Sequence, residues 1–270
     1  MGAMPQEVDL IKMEMNIQAE ETIGERTFFS GSLNGFDTVL VFSRWGKVAA
    51  SSTATTLLDK YKIDFLLFTG VAGAVDPILN IGDVVIGKKL YQHDMDARPI
   101  FPRFQIPLTD KLTFSPNEIH VSQAEVAANK YLNNLQSDIS IEILSKFSIV
   151  HPKVIRGIIA TGDQFVTDTQ AHEGMHLSDS EKAQAVEMEG AAVAQICEEY
   201  NKPYLIIRII SDKADHSATI DLNAFIENIS NHYSRGIALE FLSTLQNNIT
   251  EKANEKIESW KIEDPSVLMT

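Results

Sequence analysis

Apolar residues along this chain alternate between short continuous runs and longer stretches with helical spacing. The runs have the length and continuity of strands buried on both faces, and they lie at residues 65–68, 81–86, 154–160 and 204–210. Small and apolar residues with helical spacing predict helices at 49–58, 122–135 and 221–245. Strands that alternate with helices predict a single α/β domain, which we place at 1–247, followed by a charged tail at 248–270.

Composition and charge narrow the classes of function. A chain of 270 residues with 44% apolar content can bury a full core. The formal net charge of −14 argues against nucleic acid and anionic membranes as partners. The single cysteine, Cys197, excludes an intramolecular disulfide and suits the reducing cytoplasm, where we expect the protein. We find no signal peptide and no apolar run of about 18 residues.

Two acidic clusters fall at the ends of core elements within residues 185–215. Glu187 and Glu189 precede a run of small residues, and Asp212 follows the apolar run 204–210. Open α/β sheets bind ligands at the carboxyl ends of their strands, so these carboxylates are candidates for a binding site. Each one taken alone is also explained as a helix cap or as solvated surface.

Several segments resemble the signatures of bacterial 5′-methylthioadenosine/S-adenosylhomocysteine nucleosidases, within the nucleoside phosphorylase superfamily. They are VEMEGAAVAQIC at 186–197, RIISDKAD at 208–215, TGDQFV at 161–166 and GAMPQEV at 2–8. The resemblance covers 2–245 and implies a three-layer α/β/α domain around a mixed, largely parallel twisted sheet. In the family a first parallel strand precedes the GAM segment. That strand is absent here, so either the start is truncated or another segment fills its place.

The resemblance also implies roles for individual residues. Asp212 would protonate the purine N7, and Glu7 would activate the attacking water. A general acid needs a pKa near neutrality, which burial of Asp212 beside the purine would supply. Glu189 would hold the ribose hydroxyls. The other implied substrate contacts are Met4, Trp45, Val71, Phe104, Phe165, Val166, Glu187 and Met188.

Two positions favour water over phosphate as the nucleophile. The phosphorylases hold phosphate with an arginine and a serine or threonine where this chain has Phe68 and Val71. An apolar pair cannot compensate for the desolvation of a phosphate dianion. The implied reaction is therefore hydrolysis of 5′-methylthioadenosine and S-adenosylhomocysteine, without a cofactor or metal. The resemblance leaves 5′-deoxyadenosine and aminodeoxyfutalosine open as substrates.

Alternative functions carry their own sequence requirements. A phosphorylase would need phosphate-binding arginines, for which Arg44 and Arg208 are the candidates. A non-catalytic nucleoside-binding relative would be expected to lack Glu7 or Asp212, and both are present. The absent first strand leaves room for an inactive protein. The literal zinc-protease motif H-E-x-x-H at 172–176 contains Gly174, which weakens the helix that such a site requires, and we reject it.

The apolar sequence of one loop predicts a homodimer. The segment 100–104, Ile-Phe-Pro-Arg-Phe, is too apolar for a solvated loop. In the related family the loop at this position reaches into the partner's site. We therefore expect a homodimer in which this loop, including Phe104, closes the 5′-substituent pocket of the partner.

Overall fold

The computed structural model describes residues 1–167, 174–214 and 218–262. For residues 218–221 and 249–262 it describes the backbone alone. Its strands are β1 Asn16–Ile23, β2 Arg26–Leu33, β3 Phe36–Leu40, β4 Leu66–Ala74, β5 Val84–Gln92, β6 Val154–Thr161, β7 Ala185–Glu187 and β8 Tyr204–Asp212. Its helices are α1 Pro5–Glu14, α2 Lys47–Asp59, α3 Glu118–Asn133, α4 Ile141–Lys146, α5 Gly190–Glu199, α6 Ala218–Phe225 and α7 Asn231–Ile262. A π-helical stretch, Ile226–Ser230, joins the last two helices.

The central strands form a closed sheet in the order β4-β7-β6-β5-β8, in which β8 pairs with β4. The β4–β8, β5–β6 and β6–β7 pairs are parallel, whereas β4–β7 and β5–β8 are antiparallel. The predicted mixed, largely parallel sheet is therefore confirmed. The closure of the sheet into a barrel is an addition that strand patterns alone did not indicate.

The sheet lies between two apolar layers. On one side, small residues of α2 and α5 pack closely against β4, and they include Ala50, Ala54, Ala191 and Ala194. On the other side, Phe225, Ile229, Tyr233 and Ile237 along the C-terminal helices meet α3 and the strands. Strand β8 is buried at every position, as expected for a strand with a covered face on each side. These layers fix the strand ends that carry the candidate site.

Asn34-Gly35, a typical two-residue hairpin turn, joins β2 to β3, and a third strand extends this hairpin. Strands β1, β2 and β3 form a separate antiparallel sheet. The sequence does not predict β1, because its residues are mostly exposed and polar and lack an apolar alternation. Helix α7 continues through residue 248 to Ile262, so the expected boundary between domain and tail does not coincide with a helix end.

The amino-terminal residues occupy part of the position expected for the first strand. The Gly2 N–H donates to Val41 O at 3.1 Å, and Ser43 N–H donates to Gly2 O at 2.8 Å. On the other edge, the Met1 nitrogen lies 2.9 Å from Leu67 O, and Thr69 N–H donates to Met1 O. As expected, the described residues form no strand before α1, and residues 1–3 make only an isolated bridge at the end of that position before leading into α1.

No helix in the described ranges combines the length and the apolar character needed to cross a bilayer.

Candidate active site

A pocket opens where α1, β4, β7 and β8 meet. Nearly all the predicted site residues line it, namely Met4, Glu7, Trp45, Val71, Phe165, Val166, Glu187, Met188, Glu189 and Asp212. Phe104 is the exception. Its ring is buried within this chain and packs edge-on against Tyr91 at 5.4 Å. Ser211 and Leu222, which the sequence did not single out for the site, also line the pocket, as does Arg208.

Glu7 is a buried carboxylate in the first turn of α1, with 1% of its surface exposed. Its Oε2 accepts from the N–H groups of Ala3 at 2.6 Å and Met4 at 3.0 Å, and its Oε1 accepts from Val71 N–H at 3.1 Å. Burial raises the pKa of Glu7 above its usual value, although Arg208 and these three donors oppose the shift. A fixed carboxylate with a raised pKa suits a general base.

Two glycines of β4 let carboxylates approach the backbone. A Cβ at Gly70 would lie 2.9 Å from Glu7 Oε1, and one at Gly73 would lie 3.0 Å from Asp212 Oδ1. The pairing register of β4 shifts between Ala72 and Gly73, an irregularity that re-aims residues beside functional sites. The two glycines thus mark two separate carboxylate positions along one strand.

Asp212 is the last residue of β8, and 8% of its surface is exposed. Its Oδ2 accepts from Ser211 Oγ at 2.7 Å, and its Oδ1 accepts from Ala214 N–H at 2.8 Å. These contacts hold the carboxyl group at the pocket wall, at the carboxyl end of a parallel strand, where α/β sheets place their ligands.

Arg208, which the sequence suggested only as a phosphate ligand of a phosphorylase, lies in the wall of this pocket. Its side chain is buried, and Nε and Nη2 both donate to Glu187 Oε2, at 3.1 and 2.6 Å. Its guanidinium lies 4.2 Å from the centre of the Phe68 ring. The sequence signal for this buried ion pair is a charged residue inside an otherwise apolar run, because a buried arginine requires a buried anion.

Glu187 binds both Arg208 and the start of α5. Its carboxylate accepts from Gly190 N–H at 2.8 and 2.9 Å and from Glu189 N–H at 3.1 Å. The hydroxyl of Thr161 also donates to it. These contacts to the protein fix the geometry of the segment that carries Met188 and Glu189 into the pocket.

Glu189 differs from its neighbour in its surroundings. Its Oε1 accepts from Gly46 N–H at 2.8 Å, and its Oε2 lies 4.0 Å from Arg208 Nη2. Burial, reinforced by the nearby charge of Glu187, raises the pKa of Glu189 to about 8. The pocket therefore contains a carboxyl group that can donate as well as accept a hydrogen bond near neutral pH.

The loop before α2 holds Trp45 at the pocket mouth with 51% of its surface exposed. Arg44 and Gly46 on either side have φ angles of 74° and 92°, so Arg44 adopts a backbone conformation that favours glycine. Its guanidinium bonds Glu25 at 3.2 Å, and Arg44 is not among the residues that line the pocket. Phe165, with 42% exposed, is a second aromatic ring on the pocket wall.

The rejected H-E-x-x-H motif is only partly visible. His172 and Glu173 lie outside the described residues. The Nδ1 atom of His176 accepts from Ala183 N–H at 3.2 Å.

Comparison with known proteins gives the family. Residues 1–243 match the sequence profile of the phosphorylase superfamily. The 5′-methylthioadenosine/S-adenosylhomocysteine nucleosidase of Geobacillus thermodenitrificans is 34% identical over 246 residues, covering 91% of this chain and 95% of that protein.

Solved structures agree with this similarity. The 5′-methylthioadenosine/S-adenosylhomocysteine nucleosidase from Neisseria meningitidis, solved in complex with methylthio-immucillin-A, matches this structure with a TM-score of 0.77. The two sequences are 29% identical, and the match covers 89% of this chain and 96% of the Neisseria chain. The futalosine hydrolase of Helicobacter pylori matches with a TM-score of 0.75 and 28% identity, and the match covers 92% of this chain and 95% of the hydrolase chain. With the pocket described above, these matches show that the chain belongs to the phosphorylase superfamily, among the 5′-methylthioadenosine/S-adenosylhomocysteine nucleosidases.

Proposed function

We propose that this chain hydrolyses the N-glycosidic bond of 5′-methylthioadenosine and S-adenosylhomocysteine, releasing adenine and a 5-substituted ribose. One observation carries the proposal: a single pocket holds Glu7 beside Gly70 and Asp212 beside Gly73. Cleavage of this bond needs one group at the departing purine and another at the attacking water. Gly70 and Gly73 lie roughly 10 Å apart along β4, so the two carboxyl groups reach the pocket at different points along the strand.

Each pocket residue then has a defined task. Asp212 donates a proton toward the purine N7, which makes adenine a better leaving group. Glu7 accepts a proton from the water as it attacks the anomeric carbon. Glu189 binds the ribose hydroxyls, and Met188 packs against the sugar.

The aromatic and apolar wall completes the substrate site. Phe165 stacks on the adenine, and the backbone of Val166 bonds its edge. Met4, Val71 and Trp45 border the sugar and its 5′ substituent. Glu187 acts through its neighbours, because its carboxylate is bound by Arg208 and by the start of α5.

The surroundings of the water site support hydrolysis over phosphorolysis. Arg208 is directed to Glu187, Phe68 lies beneath its guanidinium, and Val71 N–H donates to Glu7. Arg44 pairs with Glu25 on the surface. A phosphate dianion entering here would meet the carboxyl groups of Glu7 and Glu189 and would find neither arginine directed toward it.

The 5′ group is the open part of the substrate. The similarity to both the nucleosidases and a futalosine hydrolase keeps aminodeoxyfutalosine and 5′-deoxyadenosine as candidate substrates. Purified protein incubated with each nucleoside tests the proposal. We expect adenine from 5′-methylthioadenosine and S-adenosylhomocysteine, and failure to release adenine from both would overturn it.

We also propose a homodimer, built around the loop 100–104 and the start of α2. Ile100 is 80% exposed and Val48 is 81% exposed. Lys47 Nζ bonds Asp94 Oδ1 at 2.7 Å, which ties the start of α2 to the segment that leads into the loop. Exposed apolar side chains of this kind favour contact with another protein surface. Phe104 supports the loop from within, since its ring packs against Tyr91.

The dimer predicts a specific response to Ile100→Arg. A charge at the centre of an apolar interface should weaken dimerisation by about tenfold or more. Sedimentation velocity over a concentration series measures this change. Ile141→Arg on α4, where Ile141 is 60% exposed, is the matched control and should leave the dimer intact. A wild-type protein that is monomeric throughout the series would contradict the proposal.

We place the protein in the cytoplasm. The free thiol of Cys197, buried on α5, suits a reducing compartment.

A further inference from the structure

Lys47, the first residue of α2, is a largely buried cation beside the active-site pocket. Its side chain is 16% exposed, and Lys47 is not among the residues that line the pocket. Its Nζ donates to Asp94 Oδ1 at 2.7 Å and to Gln92 Oε1 at 3.1 Å, and it lies 3.9 Å from Asp163 Oδ2. One ammonium group therefore joins the start of α2 to the segments that follow β5 and β6.

Backbone groups reinforce the same connection. The Lys47 N–H donates to Asp163 Oδ1 at 2.8 Å, and the Asp163 N–H donates to Asp94 Oδ2 at 2.9 Å. Although burial opposes the shift, the hydrogen bonds from Lys47 and from the Asp163 N–H lower the pKa of Asp94 below its usual value. Asp94 is therefore ionised near neutral pH, and its contacts with Lys47 are charge-assisted. We call Lys47, Asp94 and Asp163 the Lys47 network.

The joined segments carry walls of the pocket. Gly46, the residue before the lysine, donates its N–H to Glu189 Oε1 at 2.8 Å. Phe165 and Val166, which line the pocket, follow Asp163 by two and three residues. A Cβ at Gly46 would lie 3.0 Å from Asp163 Oδ1, so the two segments are in close contact. The network thus relates the donor that holds Glu189 to the aromatic wall.

The two proposed catalytic carboxyl groups are fixed by other contacts. Backbone N–H groups just before α1 and on β4 hold Glu7. Ser211 and Ala214 hold Asp212 at the end of β8. Loss of the Lys47 network should therefore disturb substrate binding more than the chemical step.

We propose that Lys47 is a positioning residue for nucleoside binding. Through Asp94 and Asp163 it holds the donor of Glu189 and the segment of Phe165 in one arrangement. Lys47 acts through these partners, because it does not line the pocket. The ligand is the nucleoside of the proposed function, on which this role rests, whereas the contacts of the Lys47 network do not depend on it.

Lys47→Met tests this role, because it keeps the length of the side chain and removes its charge. We expect KM for 5′-methylthioadenosine to rise by about tenfold or more, with kcat within about threefold of wild type. Lys202→Met is the matched control. Lys202 Nζ bonds Asp64 at 2.9 Å beside the amino ends of β4 and β8, whereas the pocket lies toward their carboxyl ends. This control should leave KM unchanged.

A double variant tests whether the network acts as a unit. Lys47→Met combined with Asp94→Asn should raise KM no more than about twofold beyond the larger single effect, because both changes remove the same contact. Single effects that multiply in the double variant would overturn the proposal.

Hydrogen exchange provides a readout without substrate. Exchange at the Gly46 and Asp163 amides should accelerate by about tenfold in Lys47→Met, and calorimetry with adenine should show weaker binding without turnover. An unchanged KM, or unchanged exchange at both amides, would overturn the role of Lys47 even in an active enzyme. Faster exchange and weaker adenine binding in a protein that releases no adenine would instead contradict only the proposed hydrolysis.

Discussion

Asp212→Asn should lower kcat for cleavage of 5′-methylthioadenosine by about 10²–10⁴-fold. Asparagine has nearly the same shape, and its amide can keep a hydrogen bond with Ser211 or Ala214, the present partners of the carboxylate. It cannot supply a proton to the purine N7. The loss should therefore fall on kcat, while KM and Tm change little.

The comparison variant is Asp179→Asn, because Asp179 is an exposed aspartate outside the pocket. Steady-state kinetics and a thermal melt of both variants separate chemistry from folding. If Asp212→Asn retained near-wild-type kcat, another group would have to protonate adenine, and the assignment would be wrong.

Glu7→Gln should reduce kcat by a similar factor of about 10²–10⁴. It should also lower Tm by a few degrees, roughly 2–4 °C for each kcal/mol lost. Glu7 accepts three backbone N–H bonds with its two oxygens, and a glutamine amide would direct its own N–H groups at one of these donors. Glu14→Gln, at an exposed position of the same helix, is the matched control.

The pH dependence gives Glu7 a signature that a purely structural residue would lack. Glu7 must be ionised to accept a proton, and burial raises its pKa above the usual 4.5. The acidic limb of the kcat/KM profile should therefore lie above pH 4.5, with activity falling as the pH drops through it. The limb should be absent from the residual activity of Glu7→Gln. A wild-type profile that stays flat below pH 4.5 would contradict the role of Glu7 as base.

Local signals predicted the central strands well. The continuous apolar runs became β4, β5, β6 and β8, because strands buried on both faces need apolar residues at every position. The small residues of α2 and α5 likewise indicated that these helices pack closely on the sheet. Closure of the barrel depends on antiparallel contacts between strands distant in sequence, such as β5 with β8, and no local pattern encodes them.

The site shows the same division between local and distant information. Motifs identified Glu7, Glu189 and Asp212 as pocket residues, and the structure brings them together. The ion pair of Arg208 with Glu187 joins residues 21 positions apart, so the spacing of neither residue revealed it. The resemblance predicts Phe104 at the pocket of a partner, and within this chain it is a core residue.

The most direct measurement is a product analysis of 5′-methylthioadenosine cleavage with and without inorganic phosphate. Phe68 lies under the Arg208 guanidinium, and Arg208 is bound to Glu187, so the pocket directs no arginine at an incoming phosphate. We predict equal rates of adenine release in both conditions and free 5-methylthioribose as the sugar product. Formation of the sugar 1-phosphate, or a strict requirement for phosphate, would contradict hydrolysis by this site.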